Sequence, residues 1–217
     1  MADTDSPLDV VLVDCGVGNL HSLRKALELA GATVRVSREP EAVRTAQALV
    51  FPGVGAFGEA MKKLAPLRKD LLARLEEGTP ALGICLGLQV LFEESEESPG
   101  ARGLGFIRGS VRRLQNEKLP QVGWNVINHL PDPLFEGLPD GLHVYYVNSF
   151  APVPQEPVTL ATSTYGATFT AAVRKRNTYG VQFHPEKSST TGLRIIGNFV
   201  RVAKEAVSAG PRPEVVL

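Results

Sequence analysis

Cysteine is nearly absent from this chain. Only Cys15 and Cys85 occur among its 217 residues, too few for a disulfide framework, and two bare thiols point to a reducing cytoplasm. Charge of one sign is also missing. Lys+Arg and Asp+Glu both number 23, so no overall field draws the chain to nucleic acid or an anionic membrane, although a local basic patch stays open. No apolar run approaches the roughly 20 residues of a membrane helix. The opening MADTDSPLDVVLVD carries early acids and no basic stretch, so no secretory signal is expected. Histidine is scarce, with His21, His129, His143 and His184 alone. The hydrophobic share of 43% and charged share of 21% are those of an ordinary globular chain, long enough for one domain with a sizeable core.

What is present is a rhythm. DVVLVD (9–14), TVRVS (33–37), ALVFPG (48–53) and PALGIC (80–85) read as strands. Between them lie helix-period segments: Leu20 to Ala30, EPEAVRTA, and 60–78 with Pro66 as a break or kink. LQVLFEESEE (88–97) is expected to be the next helix. Strand alternating with helix predicts a parallel sheet covered on both faces. After about Pro99 the texture turns to β runs, SVRRL, GWNVINHL, LHVYYVNSF, VTLATSTY and TFTAAVRKR, then a hairpin RKRNTYGVQF into a strand ending at His184. An amphipathic helix over 192–207 closes the domain. No repeat or linker is visible. The expected architecture is a single α/β domain over 1–207, three-layered, with a central mixed and mostly parallel sheet between helices, and a loosely ordered tail at 208–217.

GICLGLQ (83–89) joins an expected strand to an expected helix. A cysteine between two glycines there is either a small buried thiol or the nucleophile of an elbow, lifted above the sheet edge beside a helix N-terminus that favours a thiolate. The amide of Leu86 would then face any oxyanion formed on an attacked carbonyl. A nucleophile needs a base, and GVQFHPEKSS holds His184 with Glu186 two residues on. In extended chain these two side chains share one side, where a carboxylate can fix the ring's tautomer. A surface H-P-E turn is the plainer reading. FPGVGAFG (51–58) is either a glycine-rich turn or a loop whose amides around Val54 and Gly55 approach a substrate oxygen. It lacks both the GxGxxG pattern and the Walker Lys-Ser/Thr of a phosphate loop.

GICLGLQ, followed about a hundred residues later by HPE, resembles the class I, triad-type glutamine amidotransferases. DCGVGNLHSL (14–23), PGVGAFGEAM (52–61), GICLGLQVLFEESEE (83–97), LPQVGWN (119–125) and GVQFHPEKSS (180–189) together resemble the branch of that family serving imidazole glycerol phosphate synthases in histidine biosynthesis. The resemblance implies a flavodoxin-like fold and no cofactor or metal. By it, Cys85 attacks the carboxamide of L-glutamine and becomes a γ-glutamyl thioester, His184 shuttles the proton, and Glu186 orients His184. The amide of Leu86 and a loop amide near Val54 and Gly55 form the oxyanion hole. Gly53, Gln89, Glu97 and the backbone of Ser149 and Phe150 hold the glutamine.

The resemblance also implies a heterodimer. Ammonia passes to a cyclase subunit, which makes imidazole glycerol phosphate and an aminoimidazole carboxamide ribotide. Asn19, Pro120, Gln121, Trp124, Tyr145 and Lys187 match the family's partner-facing positions, and the Val54 peptide is the candidate gate. Three positions depart from the family: Cys15 replaces a usual Tyr, and Gln121 and Asn148 each replace a usual His. The competing readings are an amidotransferase of another synthase, such as the anthranilate, GMP or carbamoyl-phosphate type; a cysteine hydrolase on a similar sheet; and a non-catalytic scaffold. The hydrolases commonly place His directly after the cysteine, where this chain has Leu86, and a scaffold would be expected to lose a triad member.

Overall fold

The computed structural model describes residues 6–15 and 20–210. Its first half runs β1 (Leu8–Val13), α1 (Leu20–Leu29), β2 (Ala32–Ser37), α2 (Pro40–Thr45), β3 (Ala48–Phe51), α3 (Phe57–Leu64), α4 (Arg68–Glu76), β4 (Ala81–Ile84) and α5 (Leu86–Gln89). The second half runs β5 (Glu94–Ser95), β6 (Gly109–Arg113), β7 (Gln121–His129), β8 (Leu142–Asn148), β9 (Phe150–Pro154), β10 (Thr159–Tyr165), β11 (Ala167–Lys175), β12 (Thr178–Val181) and α6 (Ser189–Ala209). Among the described residues no helix is long and apolar enough to cross a membrane.

One nine-stranded sheet carries the domain, in the order β2-β1-β3-β4-β12-β11-β10-β7-β8. From β2 to β12 the pairings are parallel, and from β12 to β8 antiparallel. The sheet is therefore mixed, with its parallel part confined to five strands in the doubly wound flavodoxin-type order. β3 and β4 are buried along their whole length because both their faces are covered, which is why ALVF and ALGI are continuous apolar runs. Alternation along β1 divides the core. Val10 and Leu12 pack with α1 and α6 residues such as Leu27 and Phe199. Val11 and Val13 pack with Val43, Leu64 and Leu71 on the other side. Three layers result. Pro66 breaks the 60–78 segment as expected, in a 3₁₀ turn at Ala65–Leu67 between α3 and α4.

Three details differ from expectation. The helix expected over 88–97 is one turn, Leu86–Gln89, because the carbonyls it would use are taken elsewhere. Val90, Leu91, Phe92 and Glu93 accept from the N–H groups of Leu104, Ile107, Gly105 and Gly103. Glu94–Ser95 then joins a small second sheet, β5-β6-β9, that the sequence did not suggest. β12 ends at Val181 rather than His184, since the Val181 carbonyl turns to the Cys85 amide at 2.7 Å and His184 N–H donates to Tyr145 at 2.8 Å. The closing helix runs to Ala209, so 208 and 209 belong to the domain, and residues 211–217 of the expected tail lie outside the described residues.

Candidate active site

β4 delivers its last residue into the β4–α5 turn, and Cys85 there adopts φ 50° and ψ −105°. A side chain in that region costs on the order of 1–3 kcal/mol, and the surroundings must hold it. They do so from three sides. The Cys85 N–H donates to Val181 at 2.7 Å, its carbonyl accepts from Leu88 and Gln89 at 3.1 Å each, and glycines let the neighbouring backbones close in. A Cβ on Gly83 would meet the Gly87 carbonyl oxygen at 2.5 Å, one on Gly87 the Phe51 oxygen at 2.0 Å, and one on Gly53 the Ile84 oxygen at 1.8 Å. None of these three has positive φ, so it is close approach that demands glycine.

His184 is 1% exposed. Its Nδ1 lies 2.8 Å from Glu186 Oε1, and that carboxylate is buried with it. The turn carrying both is pinned: Ser188 Oγ donates to the His184 carbonyl at 2.7 Å and accepts from Tyr145 N–H at 2.9 Å. Gly192 of α6 approaches so closely that a Cβ would stand 1.8 Å from the Pro185 oxygen. Burial opposes a charged ring, but the Cys85 sulfur and the Glu186 carboxylate outweigh it and raise His184 from the usual 6.5 to about 10. Nε2 takes no hydrogen bond among the described residues, while Nδ1 keeps its 2.8 Å contact with Glu186. Cys15 contrasts with this. Burial first and then Asp14 push its thiol up to about 12, and its Sγ faces the Val13 carbonyl at 3.6 Å, which leaves it an inert packing residue.

A cavity of about 180 Å³ opens at the elbow, smaller than the roughly 300–1,000 Å³ of drug-sized sites. Cys85, Leu86 and Gln89 form one wall, Gly53, Val54 and Gly55 a second, and Glu97 with Pro120 and Val147 to Phe150 the rest. As first residue of α5, Leu86 has an amide with no intrahelical acceptor. Glu97 Oε2 accepts from Phe57 N–H at 2.7 Å, so the carboxylate facing the cavity also caps α3 and fixes the far end of the PGVG loop. Gln89 Nε2 donates to the Phe150 carbonyl at 3.2 Å and to Gln182 Oε1 at 3.1 Å. With both N–H groups used, Oε1 is the only polar atom Gln89 can offer a ligand.

A thiol on a strained elbow, an imidazole–carboxylate pair and a small polar cavity are one chemistry, and residues 11–203 match the family described as glutamine amidotransferase class-I. The chain belongs to that family. Among curated relatives, the imidazole glycerol phosphate synthase subunit HisH of Thermococcus kodakarensis is 48% identical over 199 residues, covering 89% of this chain and 100% of the relative. The HisH of Pyrococcus furiosus is 45% identical over 196 residues, covering 89% and 98%. Among solved structures, a putative GMP synthase component from Thermoplasma acidophilum superposes with TM-score 0.73 at 22% identity, covering 92% of this chain and 95% of that one. PurLQS from Thermotoga maritima gives TM-score 0.68 at 18% identity, covering 91% and 97%. At such identities these structures speak to the fold alone.

In this amidotransferase every residue expected at the oxyanion hole and around the substrate lines the one cavity. The expected partner positions scatter. Trp124 is 53% exposed with its ring edge against Tyr145, centroids 5.9 Å apart, and Val122 beside it is 60% exposed. Lys187 is also exposed, and Pro120 reaches the cavity. Gln121 is a correction. It is 2% exposed and points to the opposite side of β7 from Trp124, so it cannot sit on that surface, and both its amide atoms are buried without a hydrogen bond among the described residues. Its cross-strand neighbour Asn148 is buried too, donating Nδ2 to Phe150 at 3.0 Å while Oδ1 stays unpaired. Asn19 lies outside the described residues. One residue was missed: Gln182, fully buried, donates Nε2 to Cys85 Sγ at 3.4 Å. The signal was present, since Gln182, His184 and Glu186 follow the same two-residue spacing.

Proposed function

We infer that this chain is the glutaminase subunit of an imidazole glycerol phosphate synthase and works through Cys85, His184 and Glu186. The observation that carries the chemistry is the strained Cys85 elbow opening on a small cavity, with a buried imidazole–carboxylate pair 2.8 Å apart behind it. The end-to-end likeness to HisH proteins carries the choice of synthase.

The Cys85 sulfur attacks Cδ of L-glutamine, and the oxygen that gains charge is met by the Leu86 amide and a loop amide near Val54 and Gly55. His184, holding its proton at rest, gives it to the departing nitrogen as the tetrahedral adduct collapses to the γ-glutamyl thioester. It then takes a proton from water, which attacks the thioester and releases glutamate and the thiol. Glu186 holds the ring in place throughout. Gly53, Gln89, Glu97, Ser149 and Phe150 position the substrate, with Glu97 offering negative charge to its ammonium group.

Ammonia near neutral pH is mostly ammonium and then no nucleophile, so a sealed route to a docked cyclase preserves it. The exposed Val122 and Trp124, with Tyr145 against the Trp124 ring, suit that partner, since aromatic and aliphatic surface of this kind has the make-up of an interface core. The cytoplasm is the matching compartment for two free thiols. The test is Cys85→Ala in the complex with cyclase. Glutamine-dependent synthesis should disappear while ammonia-dependent synthesis persists, and normal use of glutamine by the variant would defeat the assignment. Glutaminase activity of the isolated chain should be weak and rise strongly with cyclase and its ligand.

A further inference from the structure

A chain of three side-chain amide bonds ends on the nucleophile, and its direction is set by an atom whose identity is beyond question. The Phe150 carbonyl oxygen can only accept, so the Gln89 group 3.2 Å from it is the NH₂. The same NH₂ lies 3.1 Å from Gln182, so that end of the Gln182 amide is its oxygen. The other end, 3.4 Å from Cys85 Sγ, is then an N–H donor. Gln182 is fully buried, and its backbone N–H is tied to Ala171 at 2.8 Å. The residue before it, Val181, holds the Cys85 amide at 2.7 Å. One strand end thus fixes the nucleophile by its backbone and reaches its sulfur with a side chain.

Donation to sulfur favours the charged form, because a thiolate accepts more strongly than a thiol and a hydrogen bond to an ion is about twice as strong as a neutral one. The Val147 carbonyl, 3.8 Å from the same sulfur, is an acceptor and favours the thiol instead. We propose that Gln182, oriented by Gln89 and the Phe150 carbonyl, is a further catalytic residue that stabilises the Cys85 thiolate and aims it before glutamine arrives. The proposal rests on Cys85 being the nucleophile. It adds to the imidazole a second, uncharged group acting on the sulfur, one that remains once the His184 proton has left with ammonia.

The test follows alkylation of Cys85 in the full chain by iodoacetamide as a function of pH, the site of labelling read by mass spectrometry so that Cys15 does not contribute. Gln182→Met keeps the length of the side chain and removes the donor. Its alkylation midpoint should rise by about one pH unit, a tenfold lower rate at any pH below both midpoints, with the high-pH plateau unchanged. Gln182→Glu replaces donor by charged acceptor and should move the midpoint further in the same direction. A folded Gln182→Met whose midpoint matches the parent overturns the proposal, and should that variant not fold, an unmoved midpoint in Gln182→Glu does so. The readout needs no glutamine. A shifted midpoint, when the parent chain in complex with cyclase and its ligand releases no glutamate from glutamine, upholds this inference and sinks the proposed function, whereas full glutaminase activity of that complex with no shift sinks only the inference.

Discussion

Replacing Gly87 by alanine adds one methyl group at the most crowded point of the elbow. Helix propensity alone favours the change by about 1 kcal/mol. The structure opposes it: the new Cβ would stand 2.0 Å from the Phe51 carbonyl oxygen, 2.6 Å from its carbon and 2.9 Å from its Cβ. Phe51 is fully buried in β3, hydrogen-bonded between β1 and β4, so α5 must yield. Restoring a contact of 3.4 Å asks α5 to retreat by about 1.4 Å, the difference from the 2.0 Å approach. Overpacking of this kind costs about 1–3 kcal/mol or more. For a domain of this size a 3 kcal/mol loss lowers the melting temperature by about 6–12 °C. Activity should fall further than stability, because Cys85 and the Leu86 amide ride on α5 and a misplacement of about 1 Å is worth about 100-fold. Gly197→Ala is the control. It lies in α6 with nothing within 4 Å of the added Cβ, and should stabilise by about 0.5–1 kcal/mol with glutaminase activity unchanged. The assays are thermal melting and glutamate release by the cyclase complex. If Gly87→Ala melts within 2 °C of the parent (about 0.5–1 kcal/mol) and keeps more than half its turnover, crowding against Phe51 does not govern the elbow.

Glu186→Gln should reduce glutaminase kcat by about 10²–10⁴-fold while leaving ammonia-dependent synthesis intact. The raised His184 value predicts a stability profile as well. A proton held more tightly in the folded state stabilises fully below pH 6.5, and that stabilisation is lost as pH climbs through about 10. The melting temperature should therefore drop across this window, and drop less in Glu186→Gln; equal drops would mean that Glu186 does not carry the shift. Trp124→Ala, on an exposed face, should melt within about 2 °C of the parent, since surface changes stay within about 0.5 kcal/mol. It should weaken cyclase binding about 30-fold or more if the residue is an interface anchor, as titration calorimetry would show.

The parallel half was legible because its strands are short apolar runs punctuated by helices, and residues such as Val10 to Val13 have no other use. The elbow was legible because Cys85, one of only two cysteines, stands between Gly83 and Gly87 at a spacing that suits a tight turn. The 88–97 segment was not. Its composition suits a helix, and what unwinds it is a set of bonds from Gly103 to Ile107 that no local pattern announces. Gln121 was misplaced because the likeness to a family supplies a position and not the side of the strand, which alternation along β7 decides. Gln182 was overlooked because an amide has no titration of its own. Its chemistry exists only through Gln89, 93 residues away along the chain, and through the Phe150 carbonyl that orients Gln89.

β12 has four residues, Thr178–Val181, and stands fifth of nine in the sheet, between the parallel and antiparallel halves. It is also the last strand to leave the ribosome. Until it arrives β4 and β11 are open edges, and the sulfur lies 97 positions from the glutamine that will meet it. Closing so long a loop is slow, and uncovered edges invite pairing with other chains. On the proposed mechanism, a chain that ends before β12 has its thiol but neither Gln182, His184 nor Glu186, and would consume no glutamine.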